Sequence, residues 1–295
     1  MIILRRFGRA AYLWAILPSI ALVLFLFGYP IFDIVRTSLH EVTRFGAVGE
    51  FIGTENFEFL FADPVFIFSL WRTLSWTVVV VAGTILLSLP IAMILNEDFY
   101  GRSLARTIVL LPWAISLTMT AIVWRWALNG QYGMLNATLI RLGLSSERTE
   151  WLATADLAFP IAIGLGMLVS TPFTVAVLLG GLSSVPRELY DAGRIDGAAG
   201  PTIFRFITLP LLAPFLNLAV ILNIIYVFNS FPIIWVLTQG GPANSTDILV
   251  TYLYKLAFRY GDFGPAAAMS LIMVALLLIF SVFYSWLVTR GEYRG

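Results

Sequence analysis

Six stretches of this chain carry no charged side chain over roughly the length needed to cross a bilayer, about 20 apolar residues. They cover residues 10–32, 73–96, 107–124, 157–186, 206–246 and 263–289. The last three exceed one crossing and must include interface or loop. A helix satisfies its backbone polar groups within itself, so each run predicts a membrane helix. Nothing shows the alternation of a membrane β-strand. The pattern therefore predicts an all-α integral membrane protein with six transmembrane helices, placed at 10–33, 73–96, 106–127, 158–182, 209–237 and 265–289. No internal repeat is visible.

The first run follows Arg5, Arg6 and Arg9, as in a secretory leader. It is too long for one and continues through Tyr29-Pro30-Ile31-Phe32 without a small-residue cleavage site. It reads as a retained helix, with residues 1–9 in the cytoplasm. Six crossings return 290–295 to the same side. Ten of the 18 Lys/Arg then face the cytoplasm: Arg5, Arg6, Arg9, Arg102, Arg106, Arg187, Arg194, Arg205, Arg290 and Arg294. The first outer segment holds Phe51, Phe57, Phe59, Phe61 and Phe66, an aromatic stretch suited to the interface. Trp71 and Trp76 open the second span, and Trp113, Trp124 and Trp126 bracket the third, as in an aromatic belt.

Composition narrows the chemistry. Of 295 residues 59% are hydrophobic and 12% charged, about half the charge of a soluble domain, with mean hydropathy +0.89 and net charge +1. Nothing points to nucleic acid. The absence of cysteine excludes disulfides, thiolate metal sites and cysteine nucleophiles. The single histidine, His40, reads as a solvated loop residue and cannot build a triad or a two-histidine metal site. The one lysine, Lys255, lies outside any phosphate-binding loop, so ATP, if it drives this protein, binds another chain.

The most informative polar segment is residues 183–208, set between the fourth and fifth spans. Ser183, Ser184 and Pro186 predict a helix start, with proline in the first turn. Glu188 and Asp191 suit the helix's positive end. Leu189, Ala192 and Gly193 lie near one face, Asp196 follows, and Gly197 reads as the stop. Alone, this could be an ordinary amphipathic connector.

Its spacing resembles the EAA motif of ABC importer permeases. Asp191-Ala192-Gly193 is followed after three residues by Gly197 and after nine more by Ile207-Thr208-Leu209-Pro210. Asp191 stands where the family has Glu, and Gly193 where it has a second Ala. Further matches narrow the resemblance to sugar permeases of the maltose-transporter type, specifically the upstream, maltose-permease-F-like partner. These are residues 238–247 (TQGGPANSTD), Tyr252-Leu253-Tyr254, Ala257-Phe258, Asp262-Phe263-Gly264, Leu17-Pro18 and Tyr132-Gly133-Met134-Leu135-Asn136. The resemblance implies an ABC type I importer permease (MetI-like) fold in the bacterial inner membrane. It also implies a coupling helix docked on an ATPase through Glu188, Leu189, Asp191, Ala192, Gly193, Asp196 and Gly197. The implied partners are a second homologous permease, two ATPase subunits that bind ATP and Mg, and an extracytoplasmic solute-binding protein. This chain would be no enzyme and hold no cofactor.

Polar groups within a span usually face the protein interior. The fifth span has Asn217, Asn223, Tyr226, Asn229 and Ser230, of which Asn223, Tyr226 and Ser230 share a helical face. Amide, phenol and hydroxyl groups beside aromatic rings suit a sugar; helix–helix hydrogen bonding is the alternative. Aligned on the family, the maltose-site positions fall on Asn223, Tyr226, Val227, Ser230, Val169, Ser170 and Phe173. Val227 is apolar where the maltose protein is polar, and Ser170 replaces a glycine, which implies another carbohydrate. Pro172 and Pro232 free backbone carbonyls in mid-span, as where backbone lines a cavity. A phosphorylated solute such as glycerol phosphate would want basic groups absent from these spans. An ion-coupled transporter would need an ionisable residue at mid-depth, and a non-transport scaffold would not need the polar face.

Overall fold

Proline and glycine positions decide where the apolar runs bend. The computed structural model describes residues 9–292, with side chains from 16 to 286. The side chains of Arg5, Arg6, Arg9, Arg290 and Arg294 lie outside the described residues. In chain order, α1 runs as Arg9–Val23, a π-helical turn Leu24–Gly28, and Tyr29–Ser38. A hairpin follows, β1 (His40–Val42) with β2 (Val48–Phe51), then α2 (Glu55–Ala62) and α3 (Pro64–Asn96). Next come α4 (Arg102–Leu110), a 3-10 turn Leu111–Ala114, α5 (Leu117–Ala127), α6 (Met134–Arg141) and α7 (Ala155–Ser184). The polar helix is α8 (Arg187–Ile195). The next helix, α9, comprises Gly200–Ile203, a π-turn Phe204–Thr208 and Leu209–Phe228. After α10 (Phe231–Leu237) come α11 (Leu249–Tyr254), extended by a π-turn Lys255–Tyr260, and α12 (Phe263–Glu292).

Five of these helices are long and apolar enough to cross a membrane, and a bent pair makes a sixth if counted as one span. The bent pair takes the place of the third span expected at 106–127. Residues Arg102–Ala114 and Leu117–Ala127 meet at 93°. Pro112 cannot donate a helical hydrogen bond, and Ile115 is extended (φ −87°, ψ 137°), so the chain restarts at Ser116. The fifth span is also interrupted. Its first helix ends at Phe228, and Ser230 (φ −77°, ψ 64°) precedes Phe231–Leu237. Pro30 and Pro210 do not break α1 and α9. In each case a π-turn ends two residues earlier, relieving the clash between the proline ring and the preceding turn.

Two compact units divide the chain: Met1–Pro64 with Leu253–Leu276, and Val65–Tyr252 with Leu277–Gly295. In the first, the antiparallel hairpin pairs His40 with Phe51 and Val42 with Val48, an element the apolar pattern did not predict. Asn56 is buried and its Nδ2 donates to the carbonyls of Ser38 (2.9 Å) and His40 (3.1 Å). A Cβ on Gly264 would lie 2.6 Å from Asn56 Oδ1, so only glycine fits beside it. His40 is not merely solvated: its Nδ1 lies 2.7 Å from the Arg36 carbonyl and its ring stands edge-on to Phe51.

The second unit packs α3, α7 and α9 through small residues that let backbones approach, the usual device of membrane helices. A Cβ on Gly166 would sit 2.8 Å from the Trp76 ring, and one on Gly181 2.5 Å from Phe215. Gly83 of α3 receives Met167 in the same way. Trp76 corrects the aromatic-belt reading for that residue. It is 0% exposed, and its Nε1 donates to the Val227 carbonyl at 2.9 Å. Trp71, Trp113 and Trp126 are exposed.

Candidate functional site

The polar helix α8 is nine residues long and buries none of them. Such a helix is marginal on its own, so its ends matter. Pro186 is extended and lies just outside the first turn rather than within it, while Ser184 belongs to α7, where its hydroxyl bonds the Gly181 carbonyl. No side chain caps the start, and Glu188 occupies the first turn. The far end is closed by a Schellman motif. Gly197 N–H donates to the Arg194 carbonyl at 3.1 Å and Ala198 N–H to the Gly193 carbonyl at 2.9 Å, with Gly197 at φ +77°. The motif requires a left-handed residue at this position, and glycine adopts it without a Cβ penalty. The glycine at the fixed interval after Asp191 is thus a geometric requirement.

Gly193 faces the chain's own interior: a Cβ there would meet Ile207 Cδ1 at 2.9 Å and Ile203 at 3.7 Å. Tyr190 also turns inward, its hydroxyl 3.4 Å from Thr208 Oγ1. Glu188, Leu189, Asp191, Ala192 and Asp196 all point outward. So does Ile195, 86% exposed, which the sequence pattern did not single out. An apolar residue at the end of a short polar helix was the available signal. Leu189 and Ile195 are exposed apolar residues beside the acidic Glu188 and Asp196.

A second feature joins this helix to distant chain. Asp98, in the turn after α3, accepts Arg102 on one oxygen (2.6 Å) and Arg187 on the other (2.7 Å). Hydrogen bonding from Arg187, then the charges of Arg187, Arg102 and Arg106, hold the Asp98 carboxyl below the usual carboxylate range. Arg102 and Arg106 also donate to the carbonyls of Leu95 and Asn96 and so close the end of α3. A cleft of about 500 Å³ lies here, lined by residues that include Asn96, Asp98, Arg102, Arg187, Tyr190 and Thr208.

The fifth-span candidates do not share one environment. Asn223 is buried, and its Nδ2 donates to Thr174 Oγ1 and the Ala219 carbonyl, both at 2.8 Å. It ties α9 to α7. Val227, 1% exposed, lies one turn on and accepts Trp76. Tyr226, three residues after Asn223 in the same helix, is 46% exposed. Asn229 is exposed and bonds the Ile225 carbonyl. Ser230 stands beyond the helix break, which overturns its i+7 relation to Asn223. The hydroxyls of Ser230 and Ser170 are buried without a hydrogen-bond partner among the described residues. Val169 packs against the core around Trp76. Phe173 is half-buried with its ring 5.9 Å from Trp113. Pro172 leaves α7 a continuous helix.

Residues 238–248 form a loop cross-braced by hydroxyl hydrogen bonds. Thr238 and Thr246 hydroxyls meet at 2.6 Å, Thr246 Oγ1 donates to the Gly241 carbonyl, and Thr251 Oγ1 donates to Asp247. Arg72 donates to the Asn244 carbonyl and Thr73 Oγ1 accepts Leu249 N–H, both at 2.8 Å, fastening the loop to α3. Asn136 organises residues 130–151 similarly. It donates to the Gly130 and Thr149 carbonyls and accepts from Thr149 N–H and Trp151 Nε1. Among the described residues no group of three or more His, Cys, Asp or Glu could hold a metal ion.

The family model "Binding-protein-dependent transport system inner membrane component" matches residues 84–292. The "Probable ABC transporter permease protein" of Brucella suis biovar 1 (strain 1330) is 58% identical over 277 residues, covering 94% of this chain and 96% of that one. The trehalose/maltose transport system permease protein MalF of Thermococcus litoralis is 38% identical over 272 residues, 91% and 90% of the two chains. A chain of a bacterial alginate ABC transporter, solved in complex with an alginate pentasaccharide-bound periplasmic protein, superposes with a TM-score of 0.81 at 25% identity. That match covers 96% of this chain and 95% of that one.

Proposed function

Because the chain belongs to the binding-protein-dependent transport inner membrane component family, we propose that it is one of two permease subunits of an ATP-driven carbohydrate importer, with α8 as its coupling helix. The carrying observation is α8 itself: a helix with no buried residue, closed by a Gly197 Schellman motif and offering Leu189, Asp191, Ala192 and Ile195 outward. A partner that covers this face accounts for its exposure in the single chain. The partner is an ATPase subunit on the cytoplasmic side, which binds ATP and Mg; both chain termini lie on that side. A homologous permease completes the solute path, and an extracytoplasmic binding protein delivers the solute. The similarity to a trehalose/maltose permease and to an alginate importer supports a sugar or oligosaccharide as solute.

In this reading, closure of the ATPase pair displaces α8. The motion reaches α9 through Ile203 and Ile207 against Gly193, and α7 through the short link at Val185–Pro186. The interruptions at Ile115–Ser116 and Asn229–Ser230 are places where spans flex. Tyr226, Asn229 and Phe173 are the candidates whose side chains this chain leaves accessible to a solute. Asn223 and Val227 hold the wall behind them. The test is ATP-dependent uptake in vesicles holding all partners. Replacing Asp191 and Gly197 together with tryptophan and valine is expected to abolish uptake, and unchanged uptake would refute the coupling role.

A further inference from the structure

Bridged by one carboxylate, two segments 89 residues apart meet at the end of α3, and nothing in the sequence motif anticipates this. Asp98 spends its two oxygens on different partners: Oδ1 on Arg102, at the start of α4, and Oδ2 on Arg187, in the first turn of α8. Arg102 is already fixed, because its remaining donors hold the Leu95 and Asn96 carbonyls. Arg106 holds the Leu95 carbonyl as well. The result is a continuous polar chain from the last turn of α3 through Arg102 and Asp98 to Arg187.

We propose that Asp98 is a positioning residue for transport: through Arg187 it fastens the coupling helix to the α3–α4 turn, so that α8 and the end of α3 move as one body. The inference rests on the coupling role proposed for α8. Its physical basis is the weakness of the other restraints on the start of that helix. The start of α8 has no side-chain cap, and no residue of α8 is buried. The hydrophobic contact of Gly193 with Ile203 and Ile207 holds only its second half. Without Asp98 the first turn keeps only the backbone and the long 3.4 Å contact of the Tyr190 hydroxyl with Thr208 Oγ1, and loses the ion pair that joins it to the α3–α4 turn. A displacement of α8 would then reach α9 but arrive late or incompletely at α3, the helix that carries Trp76 and packs against α7. An exposed ion pair contributes little by itself. Here Arg102 is already immobilised, and Asp98 is held ionised by three arginines, so the link costs less ordering than an isolated pair.

The chain lacks cysteine, which allows a direct test in the complete reconstituted transporter. Uptake per ATP hydrolysed is measured for wild type, Asp98→Ala, Arg187→Ala and the double variant. A second set carries Asp98→Cys with Arg187→Cys, before and after a short bis-methanethiosulfonate linker. The expected result is a loss of about three- to fivefold in each single variant. The double variant is no worse than either single one, and the linker restores coupling. Multiplying losses, unchanged single variants, or a linker that stops uptake would overturn the proposal. Retention of the ATPase by the Asp191→Trp, Gly197→Val variant is measured alongside. Undiminished retention would refute the docking role of α8 and this inference with it. Lost retention with unchanged Asp98 variants would refute this inference alone.

Discussion

Gly197 allows the coupling-helix geometry to be tested without touching any contact. It sits at φ +77°, and a Cβ added there would have no atom within 4 Å, so Gly197→Ala adds a methyl group to open space. Any cost comes from the backbone, about 1–2 kcal/mol for an L-residue in the left-handed region. At 1.4 kcal/mol per factor of ten, the ratio of capped to frayed α8 falls by about five- to thirtyfold. Gly197→Asn should recover much of the loss, because asparagine tolerates the left-handed region. Gly200→Ala is the control: its Cβ also meets nothing within 4 Å, and it has no positive φ. Two assays separate the local from the assembled effect. Backbone amide exchange at residue 198, whose N–H closes the motif, should accelerate by that factor in Gly197→Ala and hardly change in Gly200→Ala. Affinity of the purified ATPase for the permease pair in nanodiscs should fall in the order wild type, Gly197→Asn, Gly197→Ala, Gly197→Val. Equal behaviour of Gly197→Asn and Gly197→Ala, or an equal effect of Gly200→Ala, would refute the idea that backbone handedness sets this helix end.

Three further outcomes follow from the packing and the charges. Trp76→Phe keeps most of the ring but loses the bond to the Val227 carbonyl, and should cost about 1 kcal/mol of stability. Trp76→Ala, at a fully buried site, should cost about 3–5 kcal/mol; thermal unfolding in detergent checks both. Asn223→Leu should lower that stability by about 0.6–2 kcal/mol and leave the KM for solute uptake unchanged, whereas Tyr226→Leu should raise KM with stability intact. Asp98 has a folded-state pKa depressed below its ordinary value, so its contribution is fully present above about pH 4 and is lost as pH falls through the lower folded value. The stability gap between wild type and Asp98→Ala should therefore be constant from pH 7 to pH 5 and close only below about pH 4.

The membrane helices were legible because a span announces itself by length and lack of charge. The two interruptions were not. Pro112 and Pro232 could each have produced a mild kink, and whether Ile115 or Ser230 leaves the helical region depends on what packs around it. The hairpin at His40–Phe51 was hidden because its strands are three and four residues long, too short for alternation to register. At α8 the motif spacing identified the outward residues and the stop glycine. It could not reveal that Gly193 turns inward onto Ile203 and Ile207, because that contact joins separate helices. Asn223 shows the limit of reading a polar face: its amide is equally suited to a solute and to Thr174, and only the placement of α7 reveals the bond to Thr174. Trp76 was placed at the interface by type and position, yet Gly166, ninety residues later, makes the space that buries it. Asp98 had no sequence signal at all, because its partner Arg187 belongs to another segment.

In the proposed function an ATPase subunit covers the outward face of α8. A single cysteine at Ala192 in this cysteine-free chain, carrying a short photoactivatable crosslinker, tests it in the assembled transporter. A crosslink is expected from position 192 to the ATPase, and none from a cysteine at Phe45, in the hairpin loop. A position 192 that captures no ATPase, or a position 45 that does, would contradict it.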